Sequence, residues 1–519
     1  MELDSQLNIL VGDNEVGKST ILEAINLALT KRLNGRLIEY ELTPYLFNTR
    51  CAEEYLTSLS QGKPVELPEI IIELYLDCDP MLESFRGSMN SKKEDCVGIK
   101  LEIVFDEDYK DEYAKLITNA SDVRQVPAEY YKCQWYSFAN NGLTSRGLPI
   151  RLSYIDATTI RLQSGTDYYL QDIIKADLDA KERVELNIAY RNLKEEFAKQ
   201  KSIIEINDKL TTKKGAITDK DLSLSIDTSQ KSNWETNLVP HLDDLPFQFI
   251  GKGEQNALKI MLALERKAGE SKIILIEEPE NHLSFSSMNT LIKKIADKCA
   301  GKQIIITTHS PYVLNKLGLE HLILLHSDGN NDIRTATLKD LPSSTQNYFK
   351  KLSGYDTLRL ILSKKAILVE GPSDELLVQK AYLLKHGKIP IADGIDVISV
   401  RGLSFAPFLD IAKELITNVV VVTDNDSDYM NNVDKKYERY ERYKNIKVRR
   451  SEDNSAPTLE LQLFNCNGLQ TLNKVLKTSF TNQDALVKFL RDNKTECALE
   501  IFETTEIITF PEYIQNAIA

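Results

Sequence analysis

A chain of 519 residues is longer than one ordinary hydrophobic core can fill, so two or three domains are expected. It is 42% hydrophobic and 27% charged, with no apolar run near the ~18–20 residues that span a bilayer and no visible basic-then-apolar secretory signal, so a soluble globular protein is expected. Its 64 Lys and Arg against 77 Asp and Glu give a net charge of −13, which argues against a general nucleic-acid coat protein but not against an enzyme whose clustered carboxylates hold cations.

The first predicted strand is Leu7 to Val11, followed by a Gly-rich turn and a helix from about Lys18 to Leu29. Strand-like runs follow at Glu69–Leu76, Lys100–Phe105 and Tyr130–Phe138. The stretch from about Leu162 to Leu210 is rich in Lys, Glu, Asp, Leu and Ala, and Leu186, Ala189, Leu193 and Phe197 mark an amphipathic helix. It reads as a helical insertion at about 160–235, either an oligomerisation arm or a solvated lobe. Buried strands are expected at Ile273–Ile276 and Gln303–Thr307, and a joint between domains at about Ser343 to Lys364. After it the pattern restarts: strand Ala366–Val369, helix Ser373 to about Lys385, strand Ile395–Val400, helix Phe408–Leu415, strand Val419–Val422. Such alternation predicts an α/β fold with a parallel sheet covered by helices on both faces. The expected domains are 1–355 and 356–519. Seven scattered cysteines with no C-x-x-C pair make a zinc site or a disulfide framework unexpected and fit a reducing cytoplasm.

Gly12-Asp13-Asn14-Glu15-Val16-Gly17-Lys18-Ser19 fits G-x-x-x-x-G-K-[ST] between a predicted strand and a predicted helix. The backbone from Gly12 through Asn14 and Gly17 to Thr20 would wrap the phosphates of ATP, Lys18 would reach the β and γ phosphates, and Ser19 would hold Mg²⁺. The strand Ile273–Ile276 delivers Glu277, suited to Mg²⁺ through water, and Glu278, suited to orienting the attacking water. The strand ending at Thr307 delivers His309, read as a γ-phosphate sensor. Together these motifs resemble the ATPase heads of the ABC type, the group that includes SMC proteins. Gly251-Lys252-Gly253-Glu254-Gln255, just before a helix at Asn256–Glu265, resembles the signature loop of that group, which implies head-to-head dimers with Gly253 at a partner's nucleotide. Gly251 replaces the usual serine, Glu277 stands where most ABC ATPases have Asp, and the chain starts almost at the P-loop strand; these departures make ATP binding a safer expectation than fast hydrolysis.

In the last third, two short apolar runs end abruptly in carboxylates: Ala366 to Val369 before Glu370, and Val420 to Val422 before Thr423-Asp424-Asn425-Asp426. In an open α/β sheet such strand ends line the ligand crevice. Residues two apart on a strand point to the same face, so Asp424 and Asp426 converge while Asn425 turns away. With Glu370 they would make an oxygen-rich site for Mg²⁺ or Mn²⁺. Between Lys435 and Arg450, eight Lys or Arg are interleaved with Tyr437, Tyr440 and Tyr443, which suits either a nucleic-acid path or a solvated helix.

Glu370-Gly371-Pro372-Ser373-Asp374 followed by Asp424-x-Asp426 resembles the Toprim module of topoisomerases, primases and certain nucleases. An ABC head joined to a C-terminal Toprim module resembles the OLD (overcoming lysogenization defect) family, which includes nucleases of anti-phage systems such as Gabija and some retrons. Arg401-Gly402, Pro457-Thr458-Leu459-Glu460, Lys494 to Leu499 and Pro511 to Ile514 support the resemblance, which covers nearly the whole chain. It implies that Glu370, Asp374, Asp424, Asp426 and Glu460 share two divalent ions and that Lys494 supplies the counter-charge for the reacting phosphate. Asp374 also suits a helix cap. The implied protein is a cytoplasmic, ATP-regulated endonuclease acting on DNA (RNA possible) as a homodimer through its heads or its helical insertion, or as a higher oligomer. An accessory helicase, or a reverse transcriptase with its RNA, would be in keeping with such systems. The competing reading is a nucleotide-gated scaffold that binds nucleic acid without cutting it.

Overall fold

A computed structural model of the chain describes residues 1–519 apart from 64–65, 119–122, 145–146, 157–161, 164–165, 168–177, 213–219, 221, 227–233, 235–238, 266–271, 299–300 and 328–332. Two compact units emerge, one formed by Met1–Glu2, Asn8–Val16 and Thr308–Ala519, the other by Leu3–Leu7 and Gly17–Thr307. Among the described residues no helix is long and apolar enough to cross a membrane.

The Gly17–Thr307 unit contains an antiparallel sheet, Ile70–Tyr75 beside Cys96–Phe105 beside Tyr131–Ser137, in which Ile72 faces Leu101 and Leu101 faces Trp135. The P-loop helix, Lys18–Thr30, buries Leu22, Ile25 and Leu29, and Trp135 Nε1 donates to its Ala28 carbonyl at 2.8 Å. Three parallel strands, Leu152–Asp156, Ile273–Glu277 and Gln303–Thr307, pair in a register that sets Asp156 and Thr307 on either side of Glu277. The Ile273–Glu277 strand is buried throughout, as its unbroken apolar run predicts.

The helical insertion lies partly outside the described residues. Within it, Ala180–Ala198 opens with an Asp179/Glu182 capping box and Lys201–Thr211 follows, and neither helix buries a residue. The expected stripe is not covered: Leu186 is half-buried, whereas Leu193 and Phe197 are 64% and 48% exposed.

In the other unit, the P-loop strand Leu7–Gly12 pairs parallel with Leu322–Ser327, which pairs antiparallel with Ile333–Thr337. The segment read as a joint is instead packed. Helices Ser343–Lys351 and Thr357–Leu362 occupy it, Phe349 stacks edge-on against Phe408 at 5.1 Å, and Asn315 Nδ2 donates to the Tyr355 carbonyl at 2.8 Å while its Oδ1 accepts from Thr357 Oγ1 at 2.7 Å. A segment with satisfied buried amides is part of a core and not a linker.

The C-terminal sheet is wholly parallel, in the order Ile395–Ser399, Lys365–Val369, Asn418–Val422, Ile446–Arg449. Alternation divides its side chains between two faces. Ile367, Val369, Val420 and Val422 join a core with helices Pro372–His386, Leu459–Leu476, Gln483–Asp492, Lys494–Glu503 and Glu512–Ala517. Ala366, Leu368 and Val421 are equally buried on the opposite face, where helix Ala406–Leu415 contacts the Asn418–Val422 and Ile446–Arg449 strands.

Candidate nucleotide and metal sites

The P-loop needs its glycines for separate reasons. A Cβ on Gly12 would stand 2.5 Å from the Leu325 carbonyl oxygen, and Gly17 takes φ 87° where the loop turns into the helix. Lys18 is buried at the start of that helix, and Asn14 and Thr20 are exposed. Ser19 Oγ hydrogen-bonds Glu277 Oε1, while Tyr154 Oη donates to Glu277 Oε2 at 2.9 Å. The hydroxyl and carboxylate that the sequence assigned to Mg²⁺ therefore meet. Burial, then the Glu277 charge, pushes the Tyr154 phenol far above its ordinary pKa, so it acts as a permanent donor to that carboxylate. Glu278 takes φ 45°, a left-handed conformation that a residue other than glycine adopts only under local constraint, and its Oε2 accepts from Asn281 Nδ2 at 2.7 Å. His309 is exposed beyond the Gln303–Thr307 strand, and the preceding residue, Thr308, donates its N–H to the Leu10 carbonyl at 3.3 Å. Tyr154 and the buried Asp156 went unread in the sequence, because Arg151 and Ser153 interrupt the apolar residues that lead into this acid.

The signature-like loop is more helical than its sequence suggests, since the helix runs Lys252–Glu265 and so includes Gly253. A Cβ on Gly253 would lie 2.2 Å from the His282 carbonyl oxygen, whereas nothing lies within 4 Å of one on Gly251. Gly253 is thus fixed by backbone packing, whatever it does for nucleotide. We expect Gly253→Ala to destabilise the protein by about 1–3 kcal/mol, and Gly251→Ser to leave the thermal midpoint unchanged; equal midpoints for both would contradict this packing.

In the C-terminal unit, Glu370 follows its strand directly and Gly402 N donates to its carbonyl at 2.7 Å. Its Oε1 accepts from Thr423 Oγ1 at 2.6 Å and from Asp424 N at 3.3 Å, which ties two strand ends together. Asp424 Oδ2 accepts from Leu459 N at 3.2 Å, at the N-terminus of the Leu459–Leu476 helix. Asp374 Oδ2 accepts from Gly371 N at 2.8 Å, so the capping reading holds for one of its oxygens. Glu460 Oε1 pairs with Lys494 Nζ at 2.8 Å, while Glu460 Oε2 is buried without a hydrogen bond.

The structure differs from the sequence reading at Asp426. The strand stops at Val422, and Asp426 and Ser427 have φ 49° and 73°, so strand alternation does not apply. Asp426 is exposed at the loop tip and lines a cavity of about 260 Å³ with Glu370 and Asp424. Asn425 does not turn to solvent. It is fully buried, with Nδ2 donating to the carbonyls of Ser451 at 3.2 Å and Asp453 at 2.8 Å, and it holds the loop. The basic run also departs from a stacking platform: Tyr437 and Tyr440 are buried, and Tyr440 Oη donates to Asp410 Oδ1 at 2.7 Å.

The electrostatics are those of acids crowded together. Burial, reinforced by the charges of Glu370 and Asp374, pushes Asp424 up to about 8. Burial also pushes Asp374 up to about 6, with the Gly371 N–H and Lys494 opposing and Glu370 and Glu460 adding to it. For Glu460 burial works upward, but the Lys494 ion pair outweighs it and the carboxyl sits below its ordinary value. Among the described residues no three His, Cys, Asp or Glu side chains form a ready-made metal cage. An orphaned buried Glu460 oxygen and two carboxyls driven toward protonation nevertheless fit a divalent cation, which would relieve both. Metal must then displace protons, so Mn²⁺ affinity is expected to rise roughly ten- to thirtyfold between pH 6.5 and 8 as Asp424 ionises. A flat pH profile in a metal titration would refute the coupling.

Strand ends disposed in these two ways define an ATPase head joined to a Toprim domain, the combination found in nucleases of the OLD type. The chain belongs to the family described as the AAA ATPase domain, which residues 1–314 match, and residues 361–426 match the Toprim domain of overcoming lysogenization defect-like proteins. The endonuclease GajA of Bacillus cereus is 24% identical over 459 residues, 82% of this chain and 72% of that protein. The OLD nuclease of Thermus scotoductus is 30% identical over 197 residues, 35% of this chain and 36% of that protein. Among solved structures, the C-terminal region of the Xanthomonas campestris pv. campestris OLD protein aligns at 22% identity and TM-score 0.23, covering 30% of this chain and 93% of that one. The SMC head domain of Thermotoga maritima aligns at 12% identity and TM-score 0.27, covering 65% and 92%.

Proposed function

We propose that this enzyme is a divalent-metal-dependent DNA endonuclease whose Toprim site cuts under the control of ATP bound at its head. The observation that carries this reading is the meeting of Glu370, Asp374, Asp424 and Glu460, with Lys494, around one set of strand and helix ends. Bound Mg²⁺ or Mn²⁺ would activate water and stabilise the leaving oxygen. Glu370 and Asp424 hold the centre of the site, Asp374 and Glu460 offer one uncommitted oxygen each, and Asp426 closes the exposed side. Lys494, held 2.8 Å from Glu460, takes a phosphate oxygen of the strand. At the head, Ser19 and Glu277 hold the metal of ATP, Lys18 its phosphates, and Glu278 the attacking water. The open Gly251 position gives no hydroxyl to a nucleotide, which supports ATP as a switch more than a fuel. The uncovered Leu193 and Phe197 support a homodimer through the insertion, and the OLD-type layout supports a role in anti-phage defence.

The test is cleavage of supercoiled plasmid by the purified chain with Mg²⁺ or Mn²⁺, with and without ATP. Metal-dependent cutting that responds to ATP is the expected result. No cutting of DNA under any of these conditions would overturn the reading, and transferring the assay to structured RNA would then separate an RNA nuclease from a scaffold.

A further inference from the structure

Of the eight Lys and Arg between Lys435 and Arg450, only Lys436 lines the cavity of about 260 Å³ that Glu370, Asp424 and Asp426 share. Several of its neighbours are committed elsewhere. Lys435 Nζ donates to Asn431 Oδ1 at 2.7 Å, Arg439 approaches Asp410 at 3.5 Å, and Arg450 grips Asp434 through two bonds at 3.0 and 2.8 Å. Lys436 is exposed and makes no ion pair among the described residues. Its Nζ lies over the Tyr437 ring, 5.4 Å from the centroid, and Tyr437 is buried in the wall of the same cavity. Burial pushes the Tyr437 phenol up, the Lys436 ammonium bonded to it and the Phe405 N–H oppose the rise, and the Glu370 charge adds to it. The ammonium therefore meets a phenol that also feels the Glu370 carboxylate, so the Lys436 side chain lies along the cavity wall, accessible from solvent.

A second cavity, of about 560 Å³, is lined by Asp374, Glu460 and Lys494, and Glu370 and Gly402 line both. Each cavity thus holds one lysine, with Glu370 common to the two. The two lysines differ in their partners: Lys494 is paired with Glu460 at 2.8 Å, whereas the Lys436 ammonium meets a neutral phenol. An ammonium carries three donors, and a neutral hydroxyl leaves it free to take a charged acceptor, which it binds more strongly. Once cations neutralise the acids, the charged acceptors brought to this cavity are the phosphate oxygens of the substrate strand. We propose that Lys436 binds a backbone phosphate of the DNA strand beside the one that is cut, so that the strand passes over Glu370 from the Lys494 cavity to the Lys436 cavity. This assignment rests on the reading of the acids as a nuclease site.

The full chain is titrated with a fluorescent DNA duplex in Ca²⁺ at several salt concentrations, the duplex being checked intact on a gel. Lys436→Ala should weaken binding about tenfold at low salt. It should also lower the slope of log K against log [salt] by about 0.9, the value for one phosphate contact on B-DNA. Lys436→Arg keeps the charge and should restore the slope. Lys435→Ala removes the same charge one residue away, outside the cavity, and should leave the slope unchanged. Equal slopes for the parent and Lys436→Ala, equal losses from both alanine variants, or a parent that binds no duplex would each overturn the assignment. So would an altered Ca²⁺ affinity with an unchanged slope, the result for an ammonium that only offsets the acids. Plasmid cutting by the same proteins keeps the two readings apart. An unchanged slope in a variant that still cuts refutes Lys436 alone, and a lowered slope in a chain that cuts nothing refutes the nuclease alone.

Discussion

Replacing Asp424 by asparagine is expected to lower metal-dependent DNA cleavage by roughly 10³-fold, the loss of about 4 kcal/mol of transition-state stabilisation, while making the metal-free protein more stable at alkaline pH. The two effects have one origin. Burial and the neighbouring charges of Glu370 and Asp374 hold Asp424 at about 8 in the folded chain, against about 3.9 in an unfolded one. The protonated carboxyl therefore favours the fold: its contribution is complete below pH ~4 and is lost as pH rises through ~8. Asparagine has no proton to lose, and its carbonyl oxygen can still accept from Leu459 N, now 3.2 Å from Asp424 Oδ2. The thermal midpoint of the variant should exceed that of the parent by several degrees at pH 8 and by much less at pH 5, in EDTA. A gap that does not widen with pH would show that the folded carboxyl is not perturbed. Cleavage within tenfold of the parent would remove Asp424 from the chemistry.

Lys18→Ala is expected to weaken ATP binding about 100-fold, from the loss of charge-assisted bonds worth roughly 2–3 kcal/mol, and to abolish any response of cleavage to ATP. Lys18 is buried at the first turn of the P-loop helix, so its ammonium is presented to the phosphates at little further ordering cost. Cleavage without nucleotide should stay within a few-fold of the parent, because Lys18 belongs to none of the contacts around Asp424. Calorimetric ATP titration alongside plasmid cleavage reads both quantities. Retained ATP affinity would place the nucleotide elsewhere. Lost affinity with an intact ATP response would separate the switch from the P-loop.

The parallel C-terminal sheet was legible because its strands are short, almost wholly apolar and end in acids, and buried parallel strands have that composition for want of a polar face. Glu370 and Asp424 could be placed for the same reason. Asp426 could not, since its position depends on two left-handed residues that no side-chain pattern announces. Tyr437 and Tyr440 misled because tyrosine carries a ring for the core and a hydroxyl for a buried acceptor, and the charges between them are silent on which way the ring faces. Tyr154, Asn425 and Gln462 act on residues distant in sequence or through main-chain carbonyls, relations that spacing does not encode. The packed segment around Tyr355 read as a joint because its helices are only nine and six residues long, yet Asn315 supplies the hydrogen bonds that hold it.

The contact between Gly253 and the His282 backbone makes the start of the Lys252–Glu265 helix and the turn after Glu277 a single mechanical piece. With main chain against main chain there is no rotamer to give way, so a push on the glycine end is transmitted as displacement rather than absorbed as side-chain motion. Glu278 sits in that turn, latched by Asn281. Whatever presses on the glycine loop therefore works a short lever whose other arm carries the acid next to Glu277.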